Sequence, residues 1–316
     1  MELVCFVEEE GRLGEVAASL FPHITIGSLR AAIDSGALTV NGGRASRMTF
    51  VSVGDCVEFD DIDTPGVEAV AVDIEALFED ESLIIVNKPA GVPVVPVRNS
   101  TEWRFMGMLL HHAESCGLCR AGGRRFRIVH RLDSDTSGAL VVAKSLEAAR
   151  SMSLAFSSGQ VRKTYLALVK GRPKGEGGEI AEPIGKGRGG RVRAVSEGGK
   201  ESFTRWRVVE NFRGYALLEV EIKTGRTHQI RVHLEYDGLP LAVDDMYGGA
   251  GALMLSDFKK GYRCTGREKP LMERLSLHCL RLEFAHPVTC EKIAVEAPLP
   301  GDFARALKAL GKYAAA

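Results

Sequence analysis

Residues 129–138 read Val-His-Arg-Leu-Asp-Ser-Asp-Thr-Ser-Gly. One carboxylate, Asp133, follows Arg131 by two positions and precedes small hydroxyl residues and a glycine. The apolar run Ala139–Ala143 starts directly afterwards, so Asp133 falls in a turn at a strand end, where side chains stay accessible. A nearby guanidinium favours the charged form of such an acid. A charged carboxylate is a competent nucleophile at a sugar carbon. An aspartate in such a turn also commonly does no more than bond its own backbone. The residues alone leave both readings open. Asp133 and Asp135 stand only two positions apart, with nothing to flank a sugar as a glycosidase pair does. The glycines of residues 185–190 mimic a dinucleotide fingerprint, but no clear strand precedes them and no clear helix follows.

The elements that must hold this turn can be read from periodicity. Leu83–Val95 is a buried strand broken by Lys88-Pro89-Ala90-Gly91. Leu146, Ala149, Met152 and Phe156 recur at helical spacing and predict a helix over 145–157. Lys163–Gly171 and Ala216–Ile222 read as strands. Thr227 is expected to cap a helix running to Asp237, with Gly238 ending it. Residues 171–200, rich in Gly, Lys and Arg, read as loops or a mobile hairpin. Residues 301–316 read as a short amphipathic helix with a frayed end. Before residue 60, a helix over 28–35, a strand with an Asn41-Gly42 turn and a further strand make a small helix-plus-hairpin module. The turn-rich segment 60–75 reads as a linker. Three parts are expected: a module over 1–70, a body over 71–300 and a tail helix over 301–316.

Charge divides at the same place. The 316 residues balance 41 basic against 41 acidic side chains. Residues 1–75 hold four arginines, no lysine and fourteen acids, a net of −10, so the remainder carries 37 − 27 = +10. A basic body can dock on phosphate although the total charge is zero. Seven scattered cysteines do not form a secreted disulfide framework, and Cys116-x-x-Cys119 lacks the second pair of a zinc ribbon. No apolar stretch reaches membrane-spanning length, and the first fifteen residues resemble no signal or transit peptide. A cytoplasmic monomer without metal or cofactor is expected.

The string His130-Arg131-Leu132-Asp133 with Thr136-Ser137-Gly138 is the hallmark of the RluA-type pseudouridine synthases, which the chain resembles over about residues 77–298. Other stretches stand in that family's order: Glu79 to Gly91, Lys163-Thr164-Tyr165, Gly225 to Leu234, Asp244 with Tyr247-Gly248, Leu277-His278 and Phe284 to Pro287. The resemblance implies an α+β fold, a mixed and largely antiparallel central sheet with flanking helices and loops. It also implies an isomerase that converts uridines of structured RNA to pseudouridine without a cofactor. Asp133 is then the catalytic carboxylate, Tyr165 stacks on the extruded uracil and is a candidate to move a proton, Arg226 pairs with Asp133, and Arg131 fills the gap left in the RNA. Further RNA contacts are expected from His130, from Arg124, Arg125 and Arg127 ahead of the motif, and from Lys186, Arg188, Arg191 and Arg193 in the Gly-rich segment. The remaining histidines, 228, 233, 278 and 286, show no zinc-ligand spacing and read as structural hydrogen-bonding residues.

Residues 13–60 resemble the small alpha-L RNA-binding module that such enzymes often carry, on Ser28-Leu29-Arg30, Ile33, Gly36, Val40-Asn41-Gly42 and Val53-Gly54-Asp55. Only Arg30 lies on its helix, and its acidic balance argues against phosphate affinity. The attached module favours large-subunit ribosomal RNA over transfer RNA as substrate. An inactive RNA-binding or ribosome-assembly protein is the alternative that the intact Asp133, Tyr165 and Arg226 set disfavours. Val243, Ser202 and Cys279 depart from the family's usual residues, at packing or turn positions.

Overall fold

The computed structural model describes the chain except residues 1, 8–9, 22–23, 61–67, 96–103, 117–125, 188–190, 265 and 316. The N-terminal elements are β1 (Glu2–Phe6), β2 (Gly11–Arg12), α1 (Leu13–Leu20), α2 (Ile26–Ser35), β3 (Leu38–Val40), β4 (Gly43–Arg44), β5 (Phe50–Val51) and β6 (Cys56–Asp60). Thr25 caps α2 by accepting from the Ser28 N–H, and Gly36 closes it with φ +83°. A four-stranded sheet ordered β1-β6-β3-β4 packs against the two helices around Leu13, Phe21, Leu29, Ile33 and Leu38. This cluster is separate from the core of the body.

The body comprises β7 (Glu75–Glu79), β8 (Leu83–Lys88), α3 (Arg104–Ser115), β9 (Arg127–Ile128), β10 (Ser137–Ala143), α4 (Leu146–Ser157), β11 (Arg162–Lys170), β12 (Gly177–Ile180), β13 (Ile184–Lys186), β14 (Val192–Ala194), β15 (Thr204–Phe212), β16 (Tyr215–Ile222), α5 (Gln229–Tyr236), β17 (Leu277–Ala285), β18 (Lys292–Glu296) and α6 (Gly301–Tyr313). A ten-stranded sheet runs β12-β15-β16-β11-β17-β10-β8-β7, with β18 beside β17 and β9 beside β10. Each strand pair in it is antiparallel except β10 with β17. The fold is thus mixed α+β, as expected. Burial explains the apolar runs: Leu83–Val86 and Ala139–Ala143 lie fully inside, under α3 and α4. Ser145 caps α4 by accepting from the Ala148 N–H.

The parallel pairing of β10 with β17 lasts only two residues, Ser137 opposite His278 and Gly138 opposite Cys279. The two halves of the sheet meet there and then part, so the turn that precedes β10 stands at the mouth of a cleft. Gly138 makes the meeting possible. Its φ is +118°, and an added Cβ would lie 2.2 Å from the Cys279 carbonyl oxygen.

Several expectations change. Residues 171–200 hold the hairpin that was one of their two readings, β13–β14, and also supply edge strand β12, which was not expected. Thr227 does not cap α5. The N-cap is His228, in the left-handed region at φ 56° and with no side-chain cap. The turn there is set by Gln229, whose side chain accepts from the Arg226 N–H and the Thr224 hydroxyl. The C-terminal helix is docked rather than frayed, with Phe303, Ala306 and Leu310 fully buried and Asp302 paired to Arg274. Helix α3 carries five buried residues that periodicity alone had not separated from the surrounding chain.

Candidate active site

The turn 131–136 opens into a cavity of about 810 Å³, the scale of a nucleotide-sized ligand. Its walls come from distant segments: Val129–Thr136, Lys163 and Tyr165 of β11, and Ile222–Arg231 between β16 and α5. Side chains Arg131, Lys163, Lys223, Arg226 and Arg231 face three carboxylates, Asp133, Asp135 and Asp245. Five cations against three anions leave the wall positive, which suits a phosphate-bearing ligand.

Asp133 is one-quarter exposed, and its Oδ2 accepts from Arg231 Nη1 at 3.2 Å. Arg231 is itself fixed from behind. Its Nε and Nη2 make a forked pair with Asp244, at 2.7 and 2.9 Å, a geometry only a guanidinium provides. Asp244 is fully buried and also accepts from the Met246 and Tyr247 N–H groups. Burial works against the charge on Arg231, but Asp244 and then Asp133 outweigh it and hold its pKa above the usual value. The result is a chain Asp244–Arg231–Asp133 with one accessible end.

The partner expected from the resemblance was Arg226, and this is corrected: the guanidinium against Asp133 belongs to Arg231. Arg226 precedes α5. It lines the same cavity, but its Nε donates to the Glu201 carbonyl at 3.2 Å. Arg231 sits in the first turn of the helix, on the side facing the motif. Both arginines lie in Gly225–Leu234, and spacing could not tell which one faces inward. Asp244 has no partner legible in sequence either: of the adjacent acids Asp244 and Asp245, nothing in the chain's local pattern says which turns inward.

Tyr165 lines the cavity from β11, opposite Cys279, and is 6% exposed. Burial, and next its neighbour Cys279, push its phenol well above the ordinary value, so the ring stays neutral. Lys88 anchors the motif from below. Its Nζ donates to the carbonyls of Pro89, Val92 and Ser134 at 2.8–2.9 Å, and the Gly91 N–H donates to Ser134 as well.

The expected RNA contacts divide. Arg131 is exposed at the cavity rim. Lys186, Arg191 and Arg193 are exposed on the β13–β14 hairpin. Arg124, Arg125 and Arg188, and Cys119 of the CxxC, lie outside the described residues. Arg127 stands on β9 opposite Ala143, about 20 Å along β10 from the motif. His130 is corrected to a structural role. Its Nε2 accepts from the Val141 N–H at 2.8 Å, its ring stacks on Phe156, and burial, then Lys163, push its pKa down to about 3. His233 and His278 are held similarly, by Thr204 with the Glu182 carbonyl and by Ser137 with the Ala297 carbonyl.

Residues 82–236 match the family model described as RNA pseudouridylate synthase. The ribosomal large subunit pseudouridine synthase D of Pseudomonas aeruginosa is 37% identical over 92% of this chain and 89% of its own length. The chain belongs to the RNA pseudouridine synthase family. An RNA pseudouridine synthase of Synechocystis is 33% identical over 94% of this chain and 88% of its own. Among solved structures, human RNA pseudouridylate synthase domain containing 1 aligns with a TM-score of 0.55 at 26% identity, over 76% of this chain and 87% of that one. This synthase is therefore an isomerase acting on RNA, of the RluA type that its motifs resemble. No helix among the described residues is long and apolar enough to cross a membrane.

Proposed function

We propose that this synthase modifies uridine in large-subunit ribosomal RNA, with Asp133 as the essential carboxylate at the glycosidic bond. The observation that carries this reading is the Asp133 carboxylate, held by Arg231 at the wall of a nucleotide-sized, net-positive cavity. The substrate class is taken from the relatives, which are ribosomal large subunit pseudouridine synthases; transfer RNA is the second reading.

Isomerisation needs a base lifted from its stack, a broken C1′–N1 bond and a new C1′–C5 bond. Extrusion of one nucleotide costs a few kcal/mol. Arg131 at the rim is placed to fill the vacated position, and the hairpin arginines to hold the backbone. Inside, the Tyr165 ring forms a flat wall for the uracil. Arg226, beside it, supplies positive charge toward a flanking phosphate. Arg231 cannot swing away from Asp133, because Asp244 holds two of its nitrogens. Residues 1–70 act as a separate small module on the 71–300 catalytic body, with residues 301–316 sealing its lower edge; the enzyme works as a cytoplasmic monomer.

The test is a pseudouridine map in cells lacking the gene, complemented with wild-type or Asp133→Asn protein. Wild type is expected to restore discrete sites in large-subunit RNA and the variant none. Restoration by the variant would remove Asp133 from catalysis. Changes confined to transfer RNA would move the substrate class.

A further inference from the structure

His228 differs from the other ring-bearing residues of the fold. Its Nδ1 lies 2.9 Å from the Tyr247 hydroxyl. That hydroxyl has one proton, the Val192 carbonyl 3.0 Å away can only accept it, and Arg191 on its other side can only donate. Tyr247 therefore donates to Val192, and His228 donates its Nδ1 proton to Tyr247. The tautomer this fixes leaves the lone pair on Nε2. No hydrogen bond to Nε2 is made among the described residues, and His228 lines the cavity.

The ring is also held there at a cost. His228 sits at φ 56°, a conformation that a non-glycine residue keeps only where its surroundings enforce it, as at functional sites. Tyr247 is 1% exposed, and its ring lies between the guanidiniums of Arg231, 4.9 Å away, and Arg191, 4.6 Å away. It is a rigid orienter, in the relation that a general base has to its supporting group.

We propose that His228, oriented by Tyr247, is a second catalytic group of this enzyme, the base that takes the proton from uracil C5. The assignment rests on the placement of the reaction at Asp133. Once C1′ has bonded to C5, that carbon carries a hydrogen that must leave as a proton, while N1 gains one. His228 Nε2 accepts the C5 proton, the electron pair of the C–H bond restores the C5–C6 double bond as the pair of the C6–N1 double bond moves onto N1, and the imidazolium returns a proton to N1. Nothing is oxidised or reduced. Tyr165 suits this step less well, because its buried phenol keeps its own proton. The charges facing His228 are Asp133 and Arg131 on the motif turn, Arg231 on α5 and Asp244 beyond it. Burial, the largest influence, with Arg231 and Arg131, outweighs the two carboxylates and keeps the imidazole below its ordinary 6.5. The base is therefore free at neutral pH.

The experiment uses the full enzyme in single turnover on a transcript of the mapped target segment, with protium or deuterium at uridine C5. His228→Asn and His228→Gly both tolerate the left-handed backbone. Each is expected to slow turnover about 10²- to 10³-fold with RNA affinity nearly unchanged, and to enlarge the C5 isotope effect. Wild type should lose rate on the acid side, at a pH below the ordinary imidazole value of 6.5, and both variants should lack that limb. Added imidazole should partly restore His228→Gly, and Tyr247→Phe should fall between wild type and His228→Asn. Near-wild-type rates in both His228 variants would overturn the proposal. So would slow variants that keep the acid limb and ignore imidazole. Asp133→Asn is run alongside: if it is active, the underlying placement of the site fails, whereas an inactive Asp133→Asn with active His228 variants removes only the role of His228.

Discussion

At the residue scale, the turn that carries Asp133 rests on a buried lysine. Lys88 is fully buried, and its three carbonyl partners match the three donors of an ammonium. Burial pushes its pKa down to about 7, opposed by Asp135 and Asp133. Below about pH 7 the amine is protonated in the folded and the unfolded chain alike. Between there and the exposed lysine's 10.5, the unfolded chain holds more proton, so folding stability gains as pH rises. Lys88→Met removes this linkage and takes a donor from three carbonyls, of which that of Ser134 keeps the Gly91 N–H. The stability gap between wild type and variant should widen above pH 7 by up to about 1.4 kcal/mol per pH unit. Urea titrations from pH 6 to 10 measure it, and a gap that stays constant across that range would contradict a buried titrating lysine. The variant should also lose activity, since Ser134, next to Asp133, is one of the groups released.

At the element scale, the decisive feature is the brief parallel contact of β10 and β17. It brings the turn before β10 next to β11, so that Asp133 and Tyr165, 32 positions apart in sequence, line one cavity. Gly138→Ala tests the contact directly. The strained φ and the 2.2 Å approach to Cys279 predict a loss of about 2–5 kcal/mol, read as a lower urea midpoint, with turnover reduced because the motif is displaced. A variant of wild-type stability would show that β10 and β17 can separate freely. Helix α5 matters in the same way: its first turn, opened by left-handed His228, aims Arg231 at both Asp244 and Asp133.

At the scale of the whole molecule, the acidic N-terminal module leans on the basic body. Cys56 of β6 packs into the main core and faces Arg150 of α4, and burial pushes its thiol up to about 11. Of the module's four arginines, Arg47 is already paired with Asp34, while Arg12 and Arg30 are exposed. With four arginines among twelve acids in residues 1–70, the module should release almost no counterions on RNA binding. The plot of log affinity against log salt should keep its slope in Arg12→Ala/Arg30→Ala enzyme, whereas Arg191→Ala/Arg193→Ala on the hairpin should flatten it by about one to two. A slope reduced by the first pair instead would place phosphate on the module.

Sequence alone determined the local things. The motif HRLDxxTSG, the helices over 146–157 and 301–313 and the apolar strands follow from neighbours in the chain, because capping, periodicity and turn chemistry act over a few residues. The carboxylate proposed for catalysis, Asp133, could be singled out for the same reason: its turn is one contiguous string. Its partner was not. Two arginines lie five positions apart in Gly225–Leu234, and only the packing of α5 against Asp244 decides that Arg231 faces inward. The same holds for His130 and His228, alike in sequence as histidines beside arginine-rich motifs. One has its Nε2 closed by the Val141 N–H and the other presents a free nitrogen to the cavity. Which donors a side chain meets depends on strands that join from opposite ends of the chain, and tertiary structure alone brings those together.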